Sequence, residues 1–161
     1  MQTIFCYNWT VRKQWYEWCE NLPEEELYRQ RTGGAGNILQ TLFLIVEMEW
    51  RWIRLIQGKS YFRRSFSRYN SLEKIRELDS RCRLEVAAFV EGWEDSMENR
   101  LLQIDPALKG NADVNTWGQV MRYIIAHQIG HVSQLSAWAE DVNVHTASSY
   151  QTSKELRTVD L

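Results

Sequence analysis

The stretch Trp117–Asp141, WGQVMRYIIAHQIGHVSQLSAWAED, decides the fold. Trp117, Val120, Ile124, Leu135 and Trp138 recur at helical spacing, and Asn115 or Thr116 stands before them as an N-cap. The pattern predicts one long helix ending near Asp141, with an apolar stripe that needs partners of the same kind. Working outward, ILQTLFLIVEMEWRWI follows the breaker Gly33-Gly34-Ala35-Gly36-Asn37 and predicts a helix over about Ile38–Gln57, with Gly58 at its C-terminal cap. A third helix is expected over about Ser71–Trp93, striped by Leu72, Ile75, Leu78, Cys82, Val86, Phe89 and Val90. The first covers about Thr3–Glu20 and ends ahead of Asn21-Leu22-Pro23, since proline disfavours helical backbone in the residue before it. A short acidic turn is placed at Glu24–Leu27, and residues 97–115 read as loop or short strand. These elements make an all-α protein, a four-helix bundle with a long crossover loop, in one domain over 1–141 followed by a polar tail over 142–161.

Composition agrees with a packed chain. The 161 residues are 44% hydrophobic and 25% charged, with eight Trp and two Pro, enough to build one core and unlike a disordered segment. Nineteen basic and 21 acidic residues leave a formal charge of −2, so no global field favours nucleic acid or anionic lipid, and neither partner is expected. Cys6, Cys19 and Cys82 are odd in number and lack C-x-x-C spacing, which argues against a disulfide framework or a thiolate zinc site. The N-terminus has no basic segment followed by an apolar run, and the apolar stretch Leu42–Met48 is too short for a membrane span. A cytoplasmic protein with reduced thiols is the expectation.

Only three histidines occur, and His127 and His131 stand one helical turn apart on the side of the last helix that carries Val120, Ile124 and Trp138. An H-x-x-x-H pair can bring two ring nitrogens to about 2 Å from one divalent ion. Gln134, a further turn on, could orient a ligand or a metal-bound water. The competing reading is two core histidines bonded to neighbours. The H-E-x-x-H general base of zinc proteases is absent from the motif.

The segment HQIGHVSQLSAWAEDV resembles the last-helix signature of the DinB-like (DinB/YfiT) family, and GNILQTLFLIVEMEWRWI is similar to that family's second helix. The resemblance implies a four-helix bundle, often dimeric, whose divalent metal is held by one histidine on the second helix and the H-x-x-x-H pair on the fourth. It also implies relatives of the hydrolase or thiol-transferase type. By position the pair corresponds to His127 and His131, whereas the second-helix ligand falls at Leu44, which cannot bind a metal. Glu49 lies about 140° around the helix from Leu44, so it does not replace the missing ligand and reads as a structural carboxylate with a buried partner. Met48 shares a face with Leu44 but offers a soft thioether. Glu47 falls in a sector that reads as solvated, and His145 lies past the last helix as a surface residue.

The loop 59–69, KSYFRRSFSRY, interleaves basic and aromatic residues. A base-stacking nucleic-acid surface would use that pattern, but aromatics packed on the helices with solvated arginines fit the negative charge better; an anion site is a third possibility. The tryptophans and Cys82 fall on apolar stripes and are taken as core, with some tryptophans at a dimer interface. Two functions follow as expectations. One is a metal-dependent enzyme, with zinc or nickel at an incomplete His127/His131 site activating a low-molecular-weight thiol in a homodimer. The other is a non-catalytic DinB-like protein that binds a small molecule or serves assembly.

Overall fold

The computed structural model describes residues 1–105 and 112–142, and these are all-helical. Four long helices, α1 (Gln2–Cys19), α3 (Ile38–Ile56), α4 (Leu72–Glu91) and α5 (Trp117–Asp141), are joined by a short α2 (Glu24–Tyr28) and two 3₁₀ turns, Phe66–Arg68 and Asp95–Met97. Each long helix lies within two residues of its expected ends. The caps explain the starts: Asn37 accepts from the Gln40 amide at 2.8 Å, Ser71 from Lys74, and Thr116 forms a capping box with Gln119 that satisfies two otherwise orphaned amides. Among the described residues of the crossover there is one isolated antiparallel bridge, Leu101 to Thr116. There the Leu102 amide meets the Asn115 carbonyl at 2.9 Å and ties the loop to the start of α5.

α3 is the central element. It packs on both α4 and α5, while α1 packs on the same two helices from the other side. Only Gln40, Leu44, Arg51 and Arg54 along α3 escape full burial, as expected of a helix apolar on most of its circumference. Trp52, Ile53, Ile38, Leu39 and Leu42 are essentially inaccessible, and burial of each such side chain contributes about 1.5–3 kcal/mol. Trp15, Trp50, Trp52 and Trp138 are buried, and Trp9, Trp18, Trp93 and Trp117 half-buried, in line with tryptophans read as core.

Glu47 differs from expectation. It is 5% exposed, not solvated, because the segment after α3 folds back over the helix and the Tyr61 hydroxyl donates to the Glu47 carboxylate. A helical wheel places a residue relative to its own helix and carries no information about a loop that returns to cover it. In the same segment Phe66 and Tyr69 pack on Phe43, as anticipated for its aromatics. Arg64 departs from the solvated arginines expected there: its guanidinium carbon lies 3.5 Å from the centre of the Trp50 ring. No helix among the described residues is long and apolar enough to cross a membrane.

Candidate functional site

The site is set by a buried ionic network that joins all four long helices. Arg12 on α1 reaches Glu49 on α3 with Nη2 at 2.7 Å and Nη1 at 3.3 Å, and Asp79 on α4 with Nη1 at 2.7 Å. Trp9 Nε1 donates to Glu49 at 3.2 Å, Arg83 donates to Asp79 at 2.9 Å, and Gln128 on α5 donates to Glu49 through its side-chain amide. Arg12, Glu49 and Asp79 are each under 5% exposed. Burial alone would lower the Arg12 pKa, yet the two carboxylates raise it above the ordinary arginine value, so the guanidinium stays charged and the network is a fixed ionic junction. Glu49 is thus the structural carboxylate the sequence indicates, and its partner is Arg12.

This junction orients α5. Gln128 points into the core at Glu49, and its neighbour His127 is thereby turned about 100° away. That rotation presents His127 to a cleft of about 500 Å³ between α3, α5 and the returning segment. Leu44, Glu47, Met48 and Arg51 face the cleft from α3, and Tyr123 and His127 from α5. Arg63, Arg64, Ser65 and Phe66 close it from the loop.

The rings of His127 and His131 lie 4.3 Å apart, centre to centre, at 80° to one another. Nδ1 of His127 and Nε2 of His131 are buried without a hydrogen-bond partner among the described residues, an arrangement a pair of satisfied core histidines would not show. Burial, then the neighbouring His131, then Arg51 lower the His127 pKa to about 4, and burial lowers that of His131. Both rings are therefore uncharged near neutral pH, the state that carries a lone pair for a metal or an acidic hydrogen. The ring resonances of His127 should stay unshifted in an NMR titration from about pH 8 down to about pH 5; a midpoint near the free value of 6.5 would mean the imidazole is solvated.

The remaining expected residues fall as follows. Leu44, half-buried, lines the same cleft as His127, so the position expected to carry the family's third ligand faces the His127 cleft with an alkyl group, while His131, one turn on, is not among the residues that line it. Gln134 is elsewhere: it lies against the glycine turn before α3 and lines a separate hollow with Thr32 and Trp138. A Cβ on Gly34, whose φ is +56°, would come within 2.9 Å of the Gln134 side chain, so glycine is what allows that approach. His145 lies outside the described residues. Cys19 and Cys82 are buried, with burial raising their pKa values to about 12 and about 11, while Cys6 is exposed. Among the described residues no three of the His, Cys, Asp and Glu side chains gather as a metal cluster.

Sequence reading missed Arg12, Asp79, Gln128 and Arg51. A signal for the first was present: Arg12 interrupts the stripe Phe5, Asn8, Trp15, Tyr16 and Cys19, all buried. Asp79 likewise interrupts Ile75, Cys82 and Val86 on α4. Two opposite charges on apolar stripes are candidates to meet.

The model of the DinB family matches residues 1–156. The uncharacterized protein YizA of Bacillus subtilis (strain 168) is 36% identical over 159 residues, covering 99% of this chain and 98% of that protein. With nearly its whole length matched by the family and by this relative, the chain belongs to the DinB family.

Proposed function

We propose that the four long helices form a DinB-type four-helix bundle whose His127–His131 pair holds a divalent ion, zinc or nickel, at a site one protein ligand short, in a metal-dependent enzyme of the thiol-transferase or hydrolase type. The observation that carries this reading is the pair of neutral, adjacent imidazoles, each with a buried nitrogen that has no partner among the described residues. Such a donor set suits borderline divalent ions. Leu44 supplies nothing to a third position, and the Arg51 guanidinium that helps lower the His127 pKa also opposes a cation, so the residues fit a weakly held ion with coordination positions left for solvent or ligand. When bound, the ion would supply Lewis acidity and lower the pKa of a small thiol. The chain's own part is to hold the two imidazoles neutral, to fix α5 through the Gln128–Glu49 contact, and to wall the cleft with Leu44 and Met48.

Calorimetric titration of metal-stripped protein with zinc and with nickel tests this, beside His127→Ala and His131→Ala. The expected result is one site of about micromolar to tens of micromolar affinity, lost in both variants. Absence of binding, or binding indifferent to both substitutions, would leave the pocket to a non-catalytic ligand-binding or assembly protein.

A further inference from the structure

The cleft beside His127 has an electrostatic character that the imidazole pair does not require. Three arginines, Arg51, Arg63 and Arg64, line it, against one carboxylate, Glu47. Glu47 already accepts the Tyr61 hydroxyl, so three guanidiniums face a single carboxylate that is itself engaged, and the cleft is electropositive.

None of the three forms an ion pair with a carboxylate of the described residues. Nearby cations are placed differently: Arg54, one turn from Arg51, and Lys59 both pair with Glu85 at 2.8–2.9 Å. Two of the three guanidiniums are also set in place. Arg64 stacks on Trp50 at 3.5 Å, and Arg51 lies 5.6 Å from the Trp52 ring centre and 5.8 Å from that of Tyr61. Arg64 Nη1 and Arg51 Nε are buried donors with no acceptor among the described residues. Leaving a charged donor buried and unmet costs free energy that an incoming acceptor recovers, and stacking removes part of the ordering cost of capture. Phe43, Leu44, Met48 and Phe66 add apolar surface, beside the polar Gln40, Ser65 and Tyr123, and about 500 Å³ is within the size range of small-molecule sites.

We propose that this cleft binds a small organic oxyanion, a carboxylate or a phosphate ester on an apolar body, with the anionic head between Arg51, Arg63 and Arg64 and the body against Leu44, Met48 and Phe66. Planar guanidiniums match the oxygens of either head group with paired hydrogen bonds. The site goes beyond the metal reading and does not need the ion, although both use the His127 side of the pocket.

The test uses the full chain, stripped of metal, titrated with benzoate and with phenyl phosphate, following Trp fluorescence and calorimetric heat; benzyl alcohol serves as the neutral analogue. Saturable binding of at least one anion is expected. It should weaken about tenfold or more in Arg64→Gln and in Arg63→Gln, fall with added salt, and persist in Arg68→Gln, whose exposed side chain lies outside the cleft. The tighter of the two anions identifies the head group. Because Arg64 also covers Trp50, the exposed Arg63 provides the variant least coupled to folding. No saturation by either anion up to about 10 mM, equal binding of benzyl alcohol, or equal loss in Arg68→Gln would overturn the proposal. Since the protein carries no metal in this experiment, its outcome is separate from that of the zinc and nickel titrations.

Discussion

Arg12→Ala should lower the unfolding free energy by about 3–5 kcal/mol, enough to leave the protein largely unfolded at moderate urea concentrations. The size follows from what remains behind. Glu49 and Asp79, 2% and 4% exposed, would stay buried without the guanidinium that bridges them. Trp9 and Gln128 would still donate to Glu49, and Arg83 to Asp79, but Trp9 and Gln128 are neutral donors and Arg83 is half-buried. A hydrogen bond without the opposite charge does not offset the desolvation of a carboxylate. Urea denaturation followed by far-UV circular dichroism reads the loss directly. The triple replacement Arg12→Met, Glu49→Met and Asp79→Leu separates charge from packing: removing all three charges together should restore most of the stability. A loss under about 1 kcal/mol for Arg12→Ala would show that water reaches the two carboxylates and that the junction is not the dry ionic centre described above.

The same junction marks where sequence reading succeeds and where it stops. Helix ends at Cys19, Ile56, Glu91 and Asp141 follow from proline, glycine and period, because these signals are local to the chain. Glu49 stood out as a polar break in an apolar arc for the same reason. Its partner did not, since Arg12 lies on another helix and pairing across helices depends on how they pack. Glu47 shows the limit more sharply: its helical position reads as solvated, and a tyrosine fourteen positions later buries it. The histidine pair was legible from its spacing. The cleft was not, because a third of its lining residues come from Arg63–Phe66, a segment with no period to read. Gln134 was grouped with the pair by its angle alone, whereas α5 carries it beyond the pocket to the glycine turn.

Leu44→His should raise the affinity for zinc and nickel by about two orders of magnitude or more, measured by calorimetry on metal-stripped protein. Leu44 lines the cleft from α3 opposite His127 on α5, so a third imidazole would enter the pocket from the facing helix. Leucine and histidine differ little in volume, and position 44 is only half-buried, so the exchange should cost the fold about 1 kcal/mol or less. Adding Arg51→Gln should raise affinity again, because the guanidinium that helps depress the His127 pKa repels a divalent ion on the same grounds. The gain must vanish when His127→Ala is placed in the Leu44→His background; if it survives, the new histidine has recruited other ligands. If Leu44→His leaves affinity unchanged while the wild-type pair binds metal, position 44 does not converge with the two imidazoles. If neither protein binds, the orphaned nitrogen of His127 is a hydrogen-bonding group for whatever occupies the arginine-lined cleft, and the chemistry of the site belongs to that ligand rather than to an ion.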